Sequence, residues 1–239
     1  MLLMIGFLVI AHAVESVLGF GATVIAFGLG AHFFPADRLV VILVLIALVQ
    51  SAYLMARWFR DIEWGIVFRS IAPAALMGLA AGILIRSMVN EGMLKLILGG
   101  FIVTLSLIEL RFLFLKKDAP PRDPSAVTGS LLVFGGGVFH GLLAVGGPLI
   151  VYYAGRKLAS QESVRGTLAF IWIFLNTIML AGFIADGSIT ADVLSTAGLL
   201  LPGVLAGILI GNRLKISDRL FKTATYLLLL VVGATLVLP

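Results

Sequence analysis

The sequence predicts an all-α polytopic membrane protein made of two inverted repeats, each a broken or re-entrant helical hairpin followed by three transmembrane helices. Three observations predict it. Of 239 residues, 61% are hydrophobic and 12% charged, against roughly 45–50% and 25% in soluble domains. The apolar residues form eight runs, at 2–34, 36–57, 66–86, 93–115, 126–159, 161–183, 190–211 and 219–238, most of them near the ~20 residues that cross ~30 Å of hydrocarbon. The first and fifth runs are too long for one simple crossing, and each is interrupted by glycines, at Glu15-Ser16-Val17-Leu18-Gly19-Phe20-Gly21-Ala22-Thr23 and at Phe139-His140-Gly141-Leu142-Leu143-Ala144-Val145-Gly146-Gly147-Pro148.

The N-terminal run has no basic region before it and continues past Ala11-His12-Ala13, so residues 1–31 read as part of the mature protein rather than a signal peptide. The linker is Lys116–Ser125, which carries Lys116, Lys117, Asp118, Arg122, Asp123 and three prolines. It separates a first transmembrane repeat (1–115) from a second (126–239), with 116–125 as a cytoplasmic connection. The two halves align without gaps at a constant spacing of 125 residues, as between Gly21 and Gly146. At that spacing Ala81-Gly82-Ile83-Leu84-Ile85 matches Ala206-Gly207-Ile208-Leu209-Ile210, Gly30 matches Gly155, Asp61 matches Asp186 and Gly78 matches Gly203.

Charge sets the orientation. If all eight runs cross once, Lys and Arg divide 10 to 7 at best, a weak bias for 17 basic residues. If the first and fifth runs enter and leave on one face, the split is 14 to 3, with only Arg38, Arg86 and Lys95 opposite the rest. That arrangement inverts one half relative to the other and puts the basic loops in the cytoplasm, as expected of a multi-pass protein of the inner cell membrane. The net charge of +5 is spread over helix ends, where it serves topology and lipid headgroups rather than nucleic acid. The absence of cysteine excludes disulfides, thiolate metal sites and a cysteine nucleophile.

The breaks are where a ligand is expected. Non-helical backbone at membrane depth persists only where protein or a water-filled cavity satisfies its polar groups, and paired interruptions in matching halves point to a transporter site. Proline suits the first turn of a helix, so a half-helix starts at Pro148, with free N–H groups and a positive dipole end near Gly146 and Gly147. The first break offers a second start at Ala22-Thr23, after Gly19 and Gly21. These N-termini suit a small anion. Flanking polar residues add candidate contacts: Ser51 and Asn176, which are repeat-related, with Gln50 and Thr177 beside them. His12, Glu15 and His140 are ionisable groups at membrane depth, candidates for ligand contact or for coupling to a proton or sodium ion. The plainer alternatives are that the glycines serve helix packing and that the polar groups tie helices together. Arg165 reads as a cytoplasmic anchor charge; Tyr53, Trp58 and Trp64 read as interfacial residues.

The second half, with Gly141-Leu142-Leu143-Ala144-Val145-Gly146-Gly147-Pro148-Leu149-Ile150, Arg165-x-Thr167-Leu168 and Phe174-x-Asn176, resembles the sulfite exporter TauE/SafE family of membrane transporters. The first half departs from the family's run of glycines followed by proline, having Gly19-Phe20-Gly21-Ala22-Thr23-Val24-Ile25. The resemblance spans nearly the whole chain and implies movement, often export, of sulfur-containing anions such as sulfite, organosulfonates or thiosulfate, without a cofactor. The residues by themselves say only that the substrate is a small anion. Two alternatives stand beside this: transport of another small anion or metabolite, and a membrane-embedded enzyme using Glu15 and His140 as acid and base. The sequence shows no P-loop, His-Glu-x-x-His or G-x-S-x-G pattern, no metal set and no sign of oligomeric state.

Overall fold

Glycine, proline and short polar caps divide the chain into ten helices, described here from a computed structural model that covers residues 1–115, 123–214 and 218–237. In the first half these are α1 (Leu2–Leu18), α2 (Ala22–Gly30), α3 (Ala36–Trp58), α4 (Trp64–Arg86) and α5 (Glu91–Leu115). In the second half they are α6 (Ala126–Leu143), α7 (Gly147–Lys157), α8 (Gln161–Ala185), α9 (Ala191–Arg213) and α10 (Asp218–Val237). The chain is all-helical through these residues, and six of its helices are long and apolar enough to cross a membrane. The expected linker lies outside the described residues except for Asp123, Pro124 and Ser125, as does Lys215.

The starts of α6, α8 and α9 are capped by hydroxyls: Ser125 accepts from Thr128 N–H, Ser160 from Ser163 N–H and Thr190 from Val193 N–H. Each such cap satisfies one of the N–H groups a helix start leaves without a partner. Pro73 follows a π-turn at Val67–Ile71 within α4, where the missing proline N–H and its ring bulk loosen the helical ladder.

Both long runs fold back as hairpins with unequal legs. In the first, a Cβ on Gly30 would lie 3.0 Å from Met4 Cε, and Phe7 meets Phe33 at 6.0 Å between ring centroids, so α2 returns toward the start of α1. In the second, Gly129 faces Tyr153 and Gly136 faces Ile150, so α7 returns along α6. The long legs, of 17 and 18 residues, are each about 26 Å at 1.5 Å per residue, against ~30 Å of hydrocarbon.

The hairpins are exchanged between halves. α1 packs on α9 and α6 on α4, while α3 packs on α8 and α5 on α10. The α4–α6 contact brings backbone onto backbone: Gly78 and Gly82 face Gly137 and Gly141, a close approach that only small residues permit. In the α1–α9 contact Gly207 and Gly211 face His12 and Ser16. α3 runs antiparallel to its repeat mate α8, since Trp58 at the end of one lies beside Gly166 near the start of the other. α5 and α10 are antiparallel in the same way, Gly99 lying beside Gly233 and Leu113 O accepting from Arg219.

Candidate functional site

α1 ends because Gly19 takes a left-handed conformation, φ 81°, and its N–H closes on Glu15 O. Gly21, φ 107°, turns the chain again so that α2 can begin at Ala22. The second break repeats the first device at the same register: Ala144, φ 58°, ends α6 with its N–H on His140 O. Ala144 is the one non-glycine residue with positive φ among the described residues, a conformation that costs an L-residue about 1–2 kcal/mol. Gly146 then packs so closely on the Gly136 carbonyl that a Cβ would not fit. α7 starts at Gly147, one residue before the expected Pro148.

The two breaks face one cavity. It is lined by Glu15, Phe20, Gly21, Thr23 and Val24 from the first hairpin and by His140, Ala144, Val145 and Gly147 from the second. Ala47 and Ser51 of α3 and Trp172 and Asn176 of α8 complete it. The non-atom space there, open solvent included, is about 340 Å³. Of the residues expected at a site, Glu15, Gly21, Thr23, Ser51, His140, Gly147 and Asn176 are therefore brought together. Gly19, Ala22, Gly146 and Pro148 shape the breaks without lining the cavity, and His12 points away from it, with Nδ1 paired to Gln50 Oε1.

The polar groups of the two breaks are satisfied differently. At the first, the Glu15 carboxyl accepts Ala22 N–H at 2.9 Å, so the start of α2 is already capped from within its own hairpin. That differs from the expectation of an open N-terminus there; the physical reason is that a helix start at depth binds the nearest carboxylate it can reach. At the second, no side chain caps α7. His140, 3% exposed, is bonded through Nε2 to Asn176 Oδ1 at 3.1 Å, and its Nδ1 has no hydrogen-bond partner; Ser51 Oγ, also fully buried, has none either.

Two residues that sequence reasoning missed join the breaks. Trp172 stacks on His140, with ring centroids 5.8 Å apart and planes 9° from parallel, and its indole N–H donates to Gly19 O at 3.4 Å. Arg165 is more than an anchor: Nη2 donates to Val17 O at 2.8 Å, satisfying a carbonyl at the end of α1. The signal for Trp172 was available, since it is the repeat mate of Ala47, one turn before Ser51 on α3, and so sits one turn before Asn176 on α8. Among the described residues no three His, Cys, Asp or Glu side chains come together as a metal set.

The profile of the family described as sulfite exporter TauE/SafE matches residues 2–236. The chain belongs to that family. The sulfite exporter TauE/SafE family consists of membrane transporters rather than enzymes, which removes the acid–base enzyme reading of Glu15 and His140 and makes the chain an integral membrane protein. One relative, the probable sulfite/organosulfonate exporter TauE of Cupriavidus necator, is 25% identical over 237 residues, covering 94% of this chain and 89% of its own length. No solved structure matches the chain.

Proposed function

We propose that the chain is a secondary transporter of a small sulfur oxyanion, sulfite or an organosulfonate, acting in export from the cell and binding its substrate where the two breaks meet. The observation that carries this is the uncapped start of α7 at Gly147, which opens onto a cavity that also holds the unpartnered Ser51 Oγ. A helix N-terminus with free N–H groups in a water-poor setting is an anion site, and a hydroxyl supplies a further donor. Thr23 and the Asn176 amide complete a ring of neutral polar groups around a tetrahedral or pyramidal oxyanion. The likeness to a probable sulfite/organosulfonate exporter supports the sulfur chemistry.

The antiparallel run of the repeat mates α3–α8 and α5–α10 supports two inverted halves, 1–115 and 126–239, joined by 116–125. Alternating access follows from an asymmetry between them. Gly78 faces Phe134, Gly137 and Val138, and the repeat-equivalent residues Val9, His12 and Ala13 face Gly207 instead of Gly203. The two hairpins thus sit in registers four residues apart, about 6 Å along the helix axis. A slide that exchanges the registers would turn one face of the cavity from open to closed, one half rocking against the other.

Orientation follows the charges. Arg38 and Arg86, on the sparsely charged face, are neutralised by Asp192 at 2.6 Å and Asp37 at 2.8 Å, while the remaining basic loops face the cytoplasm across the inner membrane.

The test is sulfite flux in proteoliposomes. A Cβ on Gly147 would meet Phe20 and Trp172 only at ordinary contact distances, 3.5 to 4.0 Å, so Gly147→Leu is expected to fold and to fill the cavity. Flux should vanish while the melting temperature stays near that of the wild type. Unchanged flux in the folded variant would refute this location of the site.

A further inference from the structure

The cavity is lined by one carboxyl group and by no Lys or Arg. Glu15 lines it, 6% exposed, and His140 is the only other ionisable residue on its walls. The remaining lining groups are neutral. A substrate anion at Gly147 therefore enters a low-dielectric space already occupied by a carboxylate. Two groups of that space accept hydrogen bonds and cannot donate them to an anion: the Glu15 carboxylate, engaged with Ala22 N–H, and His140 Nδ1, left as a lone pair when Nε2–H donates to Asn176 Oδ1.

We propose that the anion moves together with a proton carried on Glu15. This rests on the transport reading above and deepens it by naming the coupling ion and its carrier. The proton converts the Glu15 carboxylate to a neutral carboxylic acid. That removes the repulsion and weakens the hold on Ala22 N–H, so the start of α2 joins the start of α7 in facing the substrate. When the proton leaves, the carboxylate returns to Ala22 N–H and expels the anion. No bond of the substrate changes; one proton is taken up with the anion and one released with it.

The other charged and titratable groups around Glu15 do not supply this function. Arg165, from α8, is held at Val17 O, at the end of α1. His12, one turn back on α1, is bonded to Gln50 of α3. α2 carries no titratable residue, and α9 meets α1 through Gly203, Gly207 and Gly211, at Ile5, Val9, His12, Ala13 and Ser16. His140 faces the cavity from α6 and is the competing carrier.

The experiment uses the full chain in proteoliposomes with sulfite, whose own protonation is common to every variant. Wild-type net flux should respond to an imposed pH gradient. Glu15→Gln keeps an oxygen that accepts Ala22 N–H but cannot carry the proton. It is expected to lose the response of net flux to the gradient, with exchange of internal for external sulfite measured alongside. If Glu15 is only a structural cap, Glu15→Gln behaves as wild type in both assays, and the proposal fails. If the gradient response survives in Glu15→Gln and is lost in His140→Gln, the proton sits on His140 and the proposal fails. If wild-type flux exists but ignores the gradient, the coupling is refuted and the transport reading stands. If wild-type protein moves no sulfite, the transport reading fails first.

Discussion

The break at Gly19–Gly21 and the break at Ala144–Gly146 occupy the same place in their halves and are finished in opposite ways. The first is closed from within. Glu15 caps Ala22 N–H, Trp172 satisfies Gly19 O and Arg165 satisfies Val17 O. Seven of the nine residues of α2 are buried. The second is left open: no side chain caps α7, His140 Nδ1 lacks a partner, and four of the eleven residues of α7 are buried. At one pair of matching positions the difference is plain: Glu15 caps a helix start in one half, while His140 in the other bonds to Asn176. Two breaks at matching positions can share a backbone geometry while their electrostatics differ, one helix start capped by a carboxyl of its own hairpin and the other without a side-chain cap.

That comparison can be broken by experiment. The largest effect is expected at the open break, where Gly147→Leu should abolish flux in a folded protein. The next lies in the helix pairs that carry the hairpins. Gly82 has the Val138 carbonyl inside contact distance of any Cβ, whereas a Cβ on Gly207 would lie 2.7 Å from Val9 O. Gly82→Ala is expected to cost about 3 kcal/mol and Gly207→Ala about 1 kcal/mol, the usual span for overpacking, read as melting temperature in detergent. Equal losses would mean that the two hairpins are held alike. Glu15→Ala leaves the start of α2 uncapped and should cost about 1–2 kcal/mol, whereas His140→Ala removes no helix cap and should leave the start of α7 as it is. The smallest effect is expected at Ala144→Gly. Relief of the left-handed strain, about 1–2 kcal/mol, is offset by the added freedom of glycine in the unfolded chain, about 0.4–1 kcal/mol. A net gain between about 0 and 1.6 kcal/mol is expected, and a loss would show that Ala144 makes contacts worth more than its strain.

The breaks were legible because their causes are local. Gly19, Gly21, Gly146, Gly147 and Pro148 act on their own backbone, and the constant spacing of the repeats matched Gly21 with Gly146 before any contact was known. Membrane-length helices were legible for the same reason, being runs of apolar residues. The contacts that finish the site were not. Ala22 N–H and the Glu15 carboxylate are seven residues apart and look unrelated until Gly19 and Gly21 turn the chain. Trp172 sits in an apolar run that reads as a lipid face or core, and its hydrogen bond to Gly19 O spans 153 residues. His12 read as a candidate for ligand contact or coupling; in the folded chain it is paired with Gln50 of α3 instead.

The sequence alone determined the hydrophobic content, the helices, the two interruptions and the repeat that pairs them, because each depends on neighbouring residues or on a count. Tertiary structure decided which half-helix start is left without a side-chain cap, because that depends on which carboxyl, indole or guanidinium the folded helices bring within hydrogen-bonding reach.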